Sequence, residues 1–266
     1  MRSARDVLQW WIDAGVDETI GEAPVDRYAR RAPAATAPPQ EQAPIGAPAP
    51  PIRAVAPPPR ELESADAATA SAEALARAAG SLEELRAAMA GFEACGLKRT
   101  ATNLVFGDGA AAGPLMCVGE APGADEDREG RPFVDVSGQL LDRMLASIGY
   151  DRSRARIANI LPWRPPGNRK PTAAETAMCL PFVRRQIELV RPKVLVLLGG
   201  TASANLLGRS EGIQKLRGRW LGYETAAGEI PAMPTFHPAY LLRTPARKRE
   251  AWLDLLTVKR RLEDRE

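Results

Sequence analysis

The segment Gly119–Phe133, GEAPGADEDREGRPF, concentrates groups that can do chemistry. It follows the short apolar run Leu115–Val118 and carries three glycines, two prolines, five acids and one aromatic. A packed core has no use for that composition. A loop that holds a flat polar ligand against backbone amides does. The chain's single histidine, His237, lies far away in FHPAY. Asn159 ends another apolar run. Its amide offers one acceptor and two donors. Whether these three places meet in space decides the function.

The elements that must position them read as alternating strands and helices. Apolar runs at Pro114–Val118, Arg156–Ile160, Val194–Leu198 and Ala232–Phe236 have strand character. Helical patterns occupy Gln139–Ile148, Ala173–Leu189 and Ala202–Leu207. Such alternation predicts an α/β fold with a parallel sheet and helices on both faces. Each strand runs into a polar or Gly/Pro-rich loop: GEAPG, LPWRPPGNR after Asn159, Gly199-Gly200-Thr201, and FHPAYLLR. Ligands of open α/β sheets bind beyond the carboxyl ends of the strands, so one composite site is expected there. Gly199-Gly200-Thr201, before a helix, is a weak signal for amides that face a phosphate.

Composition narrows the class. The 266 residues are 45% hydrophobic, enough for one sizeable core and an appendage. A net charge of +3 allows a basic face without proving nucleic-acid binding. No apolar run reaches the roughly 18 residues that suggest a membrane span. The start, MRSARDVLQWW, lacks a signal-peptide pattern, so a cytoplasmic protein is expected. Three scattered cysteines argue against a disulfide framework. Three segments follow. Residues 1–31 contain an amphipathic helix over Val7–Ile20 with Trp10 and Trp11, a docking or protein-partner element. Residues 32–60 are Pro/Ala-rich linker, and 61–266 form the folded domain, entered through the Ala-rich helical stretch Ala65–Ala90.

From about Cys95 onward the chain resembles the uracil-DNA glycosylase superfamily, nearest to the family-four, thermostable-type enzymes. The blocks that carry the resemblance are GEAPGADEDREGRPFV, SGQLLDRML, NILPWRPPGNR, CLPFVRRQIEL, RGRW and TFHPAYLLR, in that order. The resemblance implies a three-layer α/β/α sandwich around a four-stranded parallel sheet. It implies hydrolysis of the N-glycosidic bond of deoxyuridine in DNA; a monomer acting on single- or double-stranded DNA is expected. Two alternatives stand beside this reading: a glycosylase for another damaged base, and a non-catalytic DNA-lesion or abasic-site binder.

The resemblance also suggests roles. Phe133 is the stacking platform for a flipped base. Asn159 pairs with uracil N3–H and O4, a pattern that cytosine reverses. His237 donates to O2 as charge develops. The Gly119–Glu120 strand end contacts uracil, and Glu120 or Glu126 positions the water; Asp125 and Asp127 compete for that role. Asn168 holds water or a phosphate. Arg164, Arg169, Lys170 and Arg243 are phosphate contacts. Leu241 or Leu242 fills the gap left by the base, unless both are the first core turn of a helix.

Two departures from the family stand out. The resemblance implies an iron–sulfur cluster on four cysteines, but only Cys95 and Cys179 fall at ligand positions. Phe92 and Trp163 stand where the other two belong. A cluster normally needs four thiolates, so no cofactor is expected. In addition, PFVD places Asp135 where the family has a glycine. That carboxylate could alter the water site, repel phosphate, or cap the helix that follows.

Overall fold

The computed structural model describes residues 65–264. The expected helix at Val7–Ile20 and the linker at 32–60 lie outside the described residues. The Ala-rich stretch forms two helices, α1 (Ala65–Ala78) and α2 (Leu82–Gly91). They part at Gly80-Ser81, where the Ser81 hydroxyl accepts from Glu84 N and starts the second helix.

The remaining order is β1 (Asp108–Gly109), β2 (Leu115–Gly119), α3 (Ala124–Glu129), α4 (Val136–Ala146) and β3 (Ala155–Asn159). Then come α5 (Ala173–Val190), β4 (Val194–Leu198), α6 (Gly200–Leu207) and α7 (Ile213–Leu216). The chain closes with β5 (Leu221–Thr225), β6 (Gly228–Thr235), α8 (Pro238–Arg243) and α9 (Lys248–Glu263). The sheet order is β1-β3-β2-β4-β6-β5. Its four central strands are parallel, as expected. The two additional strands, β1 and β5, are antiparallel edges. Both escape a pattern search for a physical reason. β1 has two residues, and β5 is a half-exposed edge, LGYET, without a continuous apolar run.

Strand alternation builds the three layers. Val194, Val196 and Leu198 of β4 face one cluster, with Leu141 and Leu145 of α4 and Leu255 and Val258 of α9. Leu195 and Leu197 face the other, with Leu85 of α2, Phe182 of α5 and Ala202 of α6. Successive side chains point to opposite faces, so a continuous apolar strand serves both layers. No helix among the described residues is long and apolar enough to cross a membrane.

Candidate active site

The carboxyl ends of β2, β3 and β6 converge on a cleft of about 470 Å³. Glu120, Phe133, Asn159 and His237 all line it, although they lie on separate segments of the chain. A larger opening at the opposite end of the sheet, by Gly113 and Lys193, contains none of these groups.

Gly119 lets the walls close. A Cβ on it would sit 2.5 Å from Asn159 Oδ1 and 2.6 Å from Phe133 Cζ. The Asn159 side chain is buried, 7% exposed, and its Oδ1 has no hydrogen-bond partner among the described residues. An unpaired buried acceptor costs about 1–3 kcal/mol, so it suits a donor brought by a ligand.

Phe133 has a left-handed backbone, φ 56°, which is uncommon for a bulky residue. Its neighbours impose that shape. Arg152 donates to the carbonyls of Pro132 and Phe133 and is itself pinned by Asp108 at 2.7 Å and Asp142 at 2.9 Å. Gly138 admits the Phe133 carbonyl, since a Cβ there would lie 1.9 Å from it. The held ring faces His237 with centroids 5.4 Å apart, a direct stacking contact.

His237 follows β6 and caps α8. Its Nδ1 accepts from Ala239 N at 3.2 Å, which places the proton of the neutral ring on Nε2. Burial pushes the imidazole down from 6.5 to about 4, with Asp135 opposing the fall and Arg243 adding to it. The strand end behind it is fixed: Thr235 Oγ1 donates at 2.7 Å to Asp254, which also holds Arg217. A histidine whose folded pKa is depressed binds its proton later than the unfolded chain does. Its contribution is therefore fully present above about 6.5 and is lost as pH falls toward about 4. Because His237 is the sole histidine, one imidazole resonance reports it. Its proton NMR titration is expected to show a midpoint near 4, and a midpoint near 6.5 would refute the buried neutral ring.

The acids of the loop separate by their bonds. Glu126 was a water-positioning candidate, yet both its oxygens are taken by backbone amides. Oε2 accepts from Gly123 N, and Oε1 accepts from Val134 N and Asp135 N. It reaches the cleft wall but serves as the clamp that folds Gly119–Phe133 back onto itself. Asp127 likewise accepts from the Thr102 and Asn103 amides. Asp125 pairs with Arg128 at the surface, 2.9 Å away. Glu120 accepts from Thr201 Oγ1, so the Gly199-Gly200-Thr201 turn contributes a hydroxyl to the site. Asp135 caps α4, accepting from Gly138 N at 2.9 Å.

The basic mouth is also sorted. Asn168 lines the cleft in a left-handed conformation, φ 54°, with its Oδ1 accepting from Arg164 Nε at 2.7 Å. Arg169 is engaged in a two-point pair with Glu175, at 2.9 and 2.6 Å, so it is not the free phosphate contact expected. That pair holds the Glu175 carboxyl down at about 2. Lys170 and Arg243 line the cleft and form no ion pair among the described residues. Leu241 corrects an expectation. It is 1% exposed and packs with Leu140, Phe236 and Ala251, so it is a core residue of α8 and no wedge. Leu242 packs partly against the same cluster.

The residues do not fit a four-thiolate cluster. Cys95 and Cys179 face each other with sulfurs 4.0 Å apart. Phe92 packs edge-on against Phe182, centroids 5.3 Å apart, and Trp163 is buried in the same cluster. Cys117 lies in the cluster across the sheet, its thiol pushed up to about 12 by burial. Among the described residues no group of three or more metal-ligating side chains is assembled.

Comparison with known proteins bears on this geometry. The family model described as the uracil DNA glycosylase superfamily matches residues 106–256. The type-4 uracil-DNA glycosylase of Thermotoga maritima is 43% identical over 154 residues, 56% of this chain and 77% of the relative. That of Sulfurisphaera tokodaii is 38% identical over 170 residues, 62% of this chain and 77% of the relative. That of Archaeoglobus fulgidus is 37% identical over 174 residues, 64% of this chain and 87% of the relative. Arg152 and Asp254 support the site without any signal in the sequence, whereas Thr201, expected to present an amide to a phosphate, supplies its hydroxyl to Glu120 instead. The RGRW block did carry a signal for Arg217.

Proposed function

Because the chain belongs to the uracil-DNA glycosylase superfamily, we propose that it is a DNA-repair hydrolase that removes uracil from DNA. It flips deoxyuridine out of the strand, hydrolyses the N-glycosidic bond and leaves an abasic site. The observation that carries this reading is the buried, unpartnered Oδ1 of Asn159 beside the Phe133 ring. Uracil N3–H satisfies that acceptor, and the amide NH₂ group donates to O4. Cytosine offers an acceptor at N3 and a donor at N4, so it leaves both groups mismatched.

The mechanism follows from the positions. The base enters against Phe133, and the unstacking cost is offset by burial in the cleft. As the C1′–N1 bond breaks, its electron pair moves into the ring and onto O2. The His237 Nε2–H meets that charge as a neutral donor. Gly119 keeps the floor open, and Glu120 stands at the strand end beneath the base. Asn168, Lys170 and Arg243 at the mouth hold water and phosphates, with Arg164 bonded to Asn168 behind them. No iron–sulfur cluster takes part, because the Phe92 and Trp163 side chains replace two thiolates with apolar packing.

The test is incubation of the full chain with uracil-containing single- and double-stranded DNA, followed by alkaline cleavage of abasic sites. Strand scission at uracil alone is expected. Its absence on both substrates sinks the reading, and scission undiminished in Asn159→Ala sinks the uracil-pairing role. A preparation with the visible absorbance of an iron–sulfur cluster would refute the apolar replacement.

A further inference from the structure

Three carboxylates line the cleft: Glu120, Glu126 and Asp135. A water-holding acid needs an oxygen that the protein leaves free. Glu126 has none, since three backbone amides occupy its two oxygens. Glu120 gives Oε2 to the Thr201 hydroxyl. Asp135 puts both its bonds on one oxygen: Oδ1 accepts from Ser137 Oγ at 2.7 Å and from Gly138 N at 2.9 Å. Its Oδ2 takes no bond among the described residues. The helix cap therefore fixes the carboxylate while leaving one oxygen for the cleft.

Place in the cleft separates Asp135 from Glu120. The sheet order sets Asn159 of β3 and the His237 end of β6 on opposite flanks of β2 and β4. A uracil whose N3 and O4 meet Asn159 and whose O2 meets His237 has its N1, next to C2, on the histidine side. The sugar carbon lies there too. Glu120 follows β2 and bonds to the start of α6 after β4, between those two flanks. Asp135 follows Phe133 by two residues and acts electrostatically on His237.

Resting on the uracil-releasing function above, we propose that Asp135 is a catalytic residue that holds the attacking water and faces the cationic sugar. The water oxygen forms the new bond to C1′ as the C1′–N1 pair departs onto uracil. The water proton passes to Asp135 Oδ2 and from there to solvent or to the uracil anion. A negative charge beside C1′ also stabilises the oxocarbenium-like sugar, and a glycine at this position offers none.

Asp135→Asn isolates this role, because asparagine caps a helix as well as aspartate does but carries no charge. Single-turnover uracil release, DNA dissociation constant and melting temperature are measured for both proteins. The variant is expected to lose about 10²–10⁴-fold in rate, with its melting temperature and DNA affinity retained. If Asp135→Asn fails to fold, Asp135→Ser provides a second neutral cap. A rate within a few-fold of the wild type means that Asp135 only caps α4 and overturns the proposal. So does a gain in kcat/KM through tighter DNA binding at constant kcat, which marks simple phosphate repulsion. Loss of rate in Glu120→Gln but not in Asp135→Asn would assign the water to Glu120. A wild-type protein that releases no uracil sinks the function itself, whereas an active wild type with an active Asp135→Asn sinks only this role.

Discussion

His237→Ala is expected to slow single-turnover uracil release by about 10²–10³-fold, or roughly 2.7–4 kcal/mol of barrier. The size follows from when the donor matters. The uracil O2 in intact DNA is a neutral carbonyl and takes a modest hydrogen bond. In the transition state it carries part of the charge expelled from the glycosidic bond. A pre-positioned Nε2–H in a buried site meets that charge without reorganisation. DNA affinity is therefore expected to change little while the chemical step collapses. A rate within a few-fold of wild type would refute the assignment. The same substitution removes the N-cap acceptor of α8, so a lowered melting temperature is expected alongside. His237→Asn restores a capping oxygen and separates the two effects: it is expected to recover stability more than rate.

Gly119→Ala is expected to abolish detectable uracil release. Its new methyl carbon would lie 2.5 Å from Asn159 Oδ1 and 2.6 Å from Phe133 Cζ, well inside contact distance. Neither neighbour can yield easily. Asn159 is buried at the end of β3, and the Phe133 backbone is held by Arg152 and Gly138. Either the platform moves or the amide turns, and both close the space where a base would lie. Overpacking of this kind costs about 1–3 kcal/mol of stability, measured by denaturant unfolding. Folded variant with wild-type activity would show that the base does not approach Gly119.

Much of the architecture was legible because it rests on local patterns. Val194–Leu198 is a strand in sequence and in structure, since five apolar residues feed both layers of a parallel sheet. Polar loops after such runs pointed to the end of the sheet where the cleft lies. The edge strands β1 and β5 were hidden because pairing with a neighbour, not their own pattern, makes them strands. Arg152 reads as one more surface charge in DRSR, and only the fold shows it under the Phe133 carbonyl. Leu241 and Leu242 are adjacent and chemically alike, and helix rotation alone buries the first more fully.

Residue types and their order along the chain determined the α/β class, the set of groups at the strand ends and the lack of four matching cysteines. These depend on hydrophobic period, turn chemistry and identity, which a chain carries locally. The tertiary structure decided which acids are free. Five carboxylates in Gly119–Phe133 look equivalent in sequence, but folding assigns Glu126 and Asp127 to backbone amides and Asp125 to an arginine. The physical reason is that a buried amide left unpaired is costly, so the loop uses its own acids to satisfy its turns. What remains for chemistry is whatever oxygen the fold does not need for itself.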